Sequence, residues 1–251
     1  MPVIAVYGAK GGVGTSLVAV NLGRHLVDKA PVLLVDLVPT VGCCDLLLDV
    51  GAERPWSELL PVADELSERH LELSVVQHRS GLSLLAAPGN WEGDTDRART
   101  LLEELAARWA WLVLDAGSGC APLMDPALAV ADLVVMVTTP DPPALRATKR
   151  LKEGAVAETM RSPWGLVLNQ LSPDHPAVPE RVAVSLRTQL LGVIPPDREA
   201  AAQQVHFGRF PTRADRLGFV EAMDSLTGAV VARVSGIVSE AEREIEVPDD
   251  A

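Results

Sequence analysis

Short apolar runs alternate with longer segments of mixed polarity along almost the whole chain. The runs cover residues 3–7, 32–36, 82–86, 111–115, 133–138, 165–169 and 192–194, and most are unbroken stretches rich in Val and Leu. Runs of that length without polar alternation predict strands buried on both faces, as in a parallel sheet covered by helices. One more run, 73–78, is separated from 82–86 by Arg79-Ser80-Gly81 and predicts an antiparallel edge hairpin. The mixed segments predict helices over 15–28, 55–69, 95–108, 122–131, 143–159 and 179–189, several with Pro near the start, where the missing N–H costs nothing. A last long helix is expected over about 218–244, followed by an acidic, frayed end at 246–251. This alternation predicts an α/β fold: a doubly wound, mostly parallel sheet of seven to eight strands with helices on both faces. No repeat or linker interrupts it, so residues 1–251 read as a single domain.

Composition changes this picture little. Aromatic residues are only 4% of a chain that is 48% hydrophobic, so aliphatic side chains must fill the core. No apolar run approaches the roughly 18 residues that span a bilayer. The first strand-like segment starts at Pro2, leaving no room for a signal peptide, and a cytoplasmic location is expected. Cys43, Cys44 and Cys120 form no CxxC pair and are odd in number. That pattern disfavours a disulfide framework or a zinc site and reads as small buried apolar residues. The five histidines show no ligand spacing.

Charge does more. A formal net charge of −12 disfavours sequence-independent DNA binding and adsorption to anionic lipid. Arg146, Lys149, Arg150 and Lys152 are the notable basic cluster. Their spacing places them on one helix face, either a solvated surface or a patch for a partner or DNA.

The candidate chemistry begins where the first strand ends. Residues 8–16 read Gly-Ala9-Lys10-Gly11-Gly12-Val13-Gly14-Thr15-Ser16 and open the first helix. Glycines 11, 12 and 14 let successive backbone N–H groups face an anion, and the helix N-terminus adds partial positive charge there. Ser16 stands where a hydroxyl would meet Mg²⁺. Against GxxxxGK[ST] the loop departs twice, with Ala9 for the first glycine and Thr15 for the lysine. A glycine-rich turn without a ligand would share this spelling. A lost hydrogen bond to a charged group is worth roughly 1.5–3 kcal/mol, so the missing lysine weakens binding about 10- to 150-fold without abolishing it.

Two strand-like runs end in carboxylates, Asp36 and Asp115. Ligands of doubly wound sheets sit at the carboxyl ends of strands, so both acids are aimed at the mouth that would hold phosphates. Asp115 suits a Mg²⁺ ligand acting through water, although either acid could instead cap a helix or serve a turn.

The segment Lys10-Gly-Gly-Val-Gly resembles the deviant Walker A loop of the MinD/ParA family of ATPases. The resemblance implies ATP or ADP with Mg²⁺ as ligands and Ala9 to Ser16 as the phosphate cradle. It implies Ser16, Asp36 and Asp115 around the metal, with Lys10 and Asp36 acting on the reaction. It also implies that Lys10 reaches across a nucleotide-dependent homodimer to the partner's phosphates. Asn169, closing the run Gly165-Leu-Val-Leu-Asn, resembles the family's adenine-recognising asparagine, and Pro196 and Asp197 resemble the loop over the base. Val38 stands where relatives carry the second acid of a D-x-D segment. Valine cannot orient water, which implies slow or absent hydrolysis.

Residues 77–88 and 137–149 narrow the resemblance to the CpaE/TadZ pilus-assembly ATPases, in which threonine also replaces the loop lysine. This implies partners in pilus assembly or polar localisation and recruitment to a cell pole. Departures are that the chain opens directly on the first strand, where those relatives usually carry an N-terminal receiver-like domain, and the cysteines at 43 and 44. A ParA- or MinD-like ATPase positioning DNA, division or flagellar machinery is the alternative. A MinD-like protein would carry a basic amphipathic C-terminal helix, whereas Ser239 to Asp250 is acidic.

Overall fold

The computed structural model describes residues 1–91, 93–119, 123–154 and 162–245. The apolar runs become strands β1 (Val3–Gly8), β2 (Val32–Asp36), β3 (Val76–Gln77), β4 (Ser83–Leu85), β5 (Trp111–Ser118), β6 (Leu133–Thr138), β7 (Trp164–Asn169) and β8 (Gln189–Ile194). They form one eight-stranded sheet in the order β3-β4-β2-β5-β1-β6-β7-β8. All pairings are parallel except the β3–β4 edge hairpin. Burial on both faces explains the unbroken runs. In β1, Val3, Ala5 and Tyr7 enter one core layer while Ile4 and Val6 enter the other.

The helices are α1 (Thr15–Val27), α2 (Cys44–Leu48), α3 (Glu68–Ser74), α4 (Thr95–Ala106), α5 (Met124–Val130), α6 (Pro142–Glu153), α7 (Pro179–Ser185), α8 (Arg198–Phe207) and α9 (Leu217–Ile245), with a 3-10 segment at Trp56–Glu65. Helices α4, α5 and the 3-10 segment cover one face of the sheet, and α1, α2, α8 and α9 the other. In α4 the buried residues Ala98, Leu101, Leu102 and Leu105 make a single stripe at helical spacing. This is the doubly wound architecture that the sequence predicts.

Several expected boundaries move. The helix expected over 55–69 is two pieces, because Pro61 interrupts the first and Leu66 turns extended. Ser67 then starts α3 with a reciprocal cap to His70. The helix expected to 189 stops at Ser185, since Arg187 is left-handed (φ 49) and Gln189 already belongs to β8. Helices α2 and α8 are additions. The second carried a legible signal: Asp197 caps its N-terminus by accepting from Ala200 N, and Gly208 closes it at φ 56. Cys120, the start of the helix expected at 122, the part of the helix expected over 155–159 and the acidic end at 246–251 lie outside the described residues.

Strand order fixes the site. The chain moves from β1 out to β2, β4 and β3, and later from β6 out to β7 and β8 on the other side. The order reverses at β1, and the crevice for a ligand in such a sheet lies at the carboxyl ends of the strands flanking that reversal. Parallel pairing brings the ends of β1, β2, β5, β6 and β7 to that one edge. Among the described residues no helix is long and apolar enough to cross a membrane.

Candidate functional site

Residues 9–14 leave β1 at this crevice and turn into α1. Gly12 and Gly14 take φ of 83° and 91°, the left-handed region that a side chain disfavours. A Cβ on Gly12 would touch nothing within 4 Å, and one on Gly11 would meet only Ser118 Oγ at 3.8 Å. The crest of the loop is therefore an open backbone cradle, which fits an anion such as a phosphate. Its underside is packed. A Cβ on Gly8 would overlap Thr15 Oγ1, and one on Gly14 would overlap Asn169 Nδ2. Asn169 Nδ2 donates to Val13 O at 2.8 Å, and Gly119 N donates to Gly8 O at 3.0 Å. Tyr7 OH donates to Gly119 O, so β1, the loop and the end of β5 are tied together.

This packing gives a direct prediction. Gly14→Ala should cost at least about 2 kcal/mol, because a left-handed alanine must also displace the brace at Asn169. A urea unfolding midpoint checks it, and an unchanged midpoint would refute the role given to this contact.

Below the loop, Asp36 and Asp115 face each other and are both fully buried. The Asp36 carboxylate accepts from Val38 N at 2.9 Å and Cys44 N at 3.0 Å. Trp56 Nε1 donates to Asp36 O at 2.8 Å, anchoring the strand end. A Cβ on Gly42 would come within 2.8 Å of both Asp36 oxygens, so only glycine lets the loop after β2 fold over that acid. Asp115 accepts from Gly117 N at 3.1 Å. Among the described residues neither carboxylate has an ion-pair partner.

That isolation shows in their protonation. Burial, then the Asp36 charge, pushes the Asp115 pKa up to about 7, and the Ser16 hydroxyl and Gly117 N–H only partly offset this. Burial likewise raises Asp36, against the N–H groups of Cys44 and Val38. Two buried acids without a counter-charge are a receptor for a cation, and the Ser16 hydroxyl beside them supplies another oxygen. The oxygen donors fit Mg²⁺.

The structure adds a third group. Cys44 is fully buried, as expected of a small apolar residue, but its Sγ stands 3.5 Å from Asp115 Oδ2. Burial and then the charges of Asp36 and Asp115 hold its thiol well above the ordinary range. Cys43 is half-buried, and burial followed by Asp36 raises it too. Sequence spacing could not reveal this group, because 71 residues separate Cys44 from Asp115.

The remaining candidates spread around the crevice. Lys10 Nζ lies 4.0 Å from Asp141 Oδ1, with both side chains about half exposed. Asp141 is held below the usual carboxylate range by the Thr139 hydroxyl first, with Ala144 N and Lys10 adding to it. Asn169 is buried and occupied at the underside of the loop. Pro196 and Asp197 lead into α8, and Arg216 Nε stands 3.8 Å from Asp197. Val38 is at the rim, where a Cβ on Gly117 would come within 2.9 Å of its Cγ2.

The basic cluster on α6 divides. Arg146 and Arg150 line one groove, while Lys149 and Lys152 line a neighbouring one with Arg187. Lys149 is 3.9 Å from Glu153, and Lys152 donates to Arg187 O.

The chain is similar in sequence and in fold to known proteins. The family model described as Cellulose biosynthesis protein BcsQ matches residues 1–173. The septum site-determining protein MinD of Synechocystis is 26% identical over 208 residues, 78% of this chain and 77% of the relative. Among solved structures, a ParA family ATPase from Chlorobium tepidum superposes with a TM-score of 0.81 at 20% identity, over 90% of this chain and 98% of that one. The MinD of Pyrococcus horikoshii, complexed with Mg-ADP, gives 0.76 at 21% identity over 91% and 95%. With a family match over residues 1–173, the chain belongs to the family described as Cellulose biosynthesis protein BcsQ, and its fold is that of the MinD and ParA proteins.

Proposed function

We propose that this protein binds ATP with Mg²⁺, dimerises on the nucleotide and localises a larger assembly, with slow or absent hydrolysis. One observation carries the reading: an open glycine cradle lies over two buried carboxylates that have no ion-pair partner among the described residues, at the switch point of the sheet. The backbone of residues 9–16 would hold the phosphates, with Asn169, Pro196 and Asp197 on the side of the base. Ser16, Asp36 and Asp115 would hold Mg²⁺, which when bound offsets charge between the phosphates and the acids. A solved relative named as a complex with Mg-ADP supports the choice of ligand.

Lys10 is the deviant Walker A lysine in this reading. Its exposed contact with Asp141, at the outer limit of an ion pair, costs little to break and leaves the ammonium free to reach a second protomer. Val38 offers no group to orient an attacking water, so the bound state persists. In this reading the protein is of the CpaE/TadZ type, which segments 77–88 and 137–149 resemble, and acts in the cytoplasm and at a cell pole on Flp/Tad-like pilus assembly. The whole chain, 1–251, serves as one nucleotide-binding unit. A second reading, a positioning ATPase for DNA, division or flagellar machinery, draws on relatives named for septum-site determination. The net charge of −12 counts against the DNA form.

Calorimetry with Mg²⁺ and ATP or ADP, combined with light scattering and phosphate release, tests the proposal. The expected result is binding, mass doubling with ATP and little phosphate. Lys10→Ala should keep nucleotide affinity within a few-fold and lose the mass doubling. No binding at millimolar nucleotide would sink the reading and leave a surface scaffold.

A further inference from the structure

Nothing in a Mg²⁺ site calls for a thiol. Magnesium takes oxygen ligands and holds its water, whereas sulfur suits softer ions. Yet the ligand atoms of Asp36, Cys44 and Asp115 all lie within 4.8 Å of one another, and all three residues are buried. A tetrahedral zinc with sulfur at about 2.3 Å and oxygen at about 2.0 Å sets those ligand atoms about 3.5 Å apart. Cys44 Sγ and Asp115 Oδ2 stand 3.5 Å apart.

The rest of the site is preorganised for such an ion. Asp36 is fixed by two backbone N–H groups, and each of its oxygens keeps a lone pair. The Cys44 backbone is one of those donors, so the thiol and the Asp36 carboxylate are set relative to each other by α2 itself. No described cation neutralises the two acids, and a divalent ion would offset both at once. The Gly42 turn that closes over Asp36 also brings Cys43 and Cys44 into the crevice.

We propose that Asp36, Cys44 and Asp115 form a binding site for a thiophilic divalent ion of the zinc class, filled when the protein is free of nucleotide. Binding replaces the thiol proton: Cys44 Sγ–H releases H⁺ to the buffer and forms an Sγ–metal bond, with no change of oxidation state. The two carboxylates supply the other protein ligands, and water takes the remaining position. The inference deepens the reading of the same crevice, yet it needs only these three side chains and not the nucleotide.

Cobalt is the probe, since thiolate ligation to Co²⁺ gives near-ultraviolet charge-transfer absorption and tetrahedral sites give intense visible bands. Chelator-treated, nucleotide-free full-length protein should develop both with one equivalent of Co²⁺. Zn²⁺ should then bleach them at one equivalent, while a thousandfold excess of Mg²⁺ should not. Cys44→Ser should lose the charge-transfer band, and Cys43→Ser should keep it. Asp115→Asn, isosteric with the native side chain, tests the carboxylate where a cysteine variant misfolds.

Wild-type protein without a charge-transfer band would overturn the inference and leave a thiol–carboxylate hydrogen bond only. A band that survives in folded Cys44→Ser would also overturn it, by assigning the sulfur elsewhere. Mg²⁺-ATP binding measured on the same wild-type sample keeps the readings apart. Nucleotide binding without the band rejects the metal site alone, and the band without nucleotide binding rejects the ATP reading alone.

Discussion

Asp115→Asn is expected to raise the melting temperature of the metal- and nucleotide-free protein at pH 8 by roughly 5–15 °C. The cause is the buried acid pair. Asp115 has its pKa pushed up from the ordinary carboxylate range to about 7 by burial and by Asp36. The folded state therefore holds a proton that the unfolded chain releases. An acid raised in this way adds no penalty below its unfolded pKa. The penalty grows as pH rises from about 4 to about 7 and is constant above. At about 1.4 kcal/mol per unit it reaches on the order of 2–4 kcal/mol at pH 8.

Asparagine keeps the shape and the acceptor oxygen facing Gly117 N but carries no charge. The variant should therefore gain most over wild type at pH 8 and little at pH 4. Paired melting curves at both values, in chelator, check this. An equal gain at both pH values would show that charge is not the cause, and a loss at pH 8 would show that the pair is not strained. The same variant should bind Mg²⁺-ATP at least tenfold more weakly, because a carboxylate beside the metal is gone. Stability and ligand affinity then move in opposite directions, the pattern expected when a site stores unfavourable electrostatics for use with a cation.

The second large effect concerns the position of the missing loop lysine. Thr15→Lys is expected to tighten Mg²⁺-ATP by about 10- to 150-fold, the worth of one hydrogen bond to a charged group. Thr15 is buried at the start of α1, and its hydroxyl lies against Gly8, where a Cβ would collide with it. A lysine stem would pass over that bare glycine toward the open cradle at Gly11 and Gly12. Calorimetry of the two proteins decides the matter, with a melting curve to show that the longer side chain is accommodated. Unchanged affinity in a folded variant would mean that the backbone already satisfies the phosphates.

Much of this was legible in the chain. Unbroken valine and leucine runs announced strands buried on both faces, because no polar residue was needed on a solvent side. The β3–β4 hairpin was visible in the turn residues 79–81. The cradle could be read because its chemistry is local: glycines, a helix start and a hydroxyl within a few consecutive residues. The helix breaks at Pro61 and Arg187 were less visible, since helical periodicity continued across them while backbone geometry did not. Helix α8 lies outside the predicted helices, although Asp197 and Gly208 spell its two caps.

The sequence by itself thus determined the fold class, the glycine loop and the two strand-end carboxylates, since each rests on a pattern of neighbouring residues. Only the tertiary structure decided what those groups face. The brace from Asn169 to Val13 spans 156 residues, and the contact from Cys44 to Asp115 spans 71. Strand order brings them together, and strand order comes from how the helices cover both faces of the sheet. The charge state of Asp115 follows from the same packing, because removing water from a carboxylate, and not the identity of its sequence neighbours, moves its protonation to neutral pH.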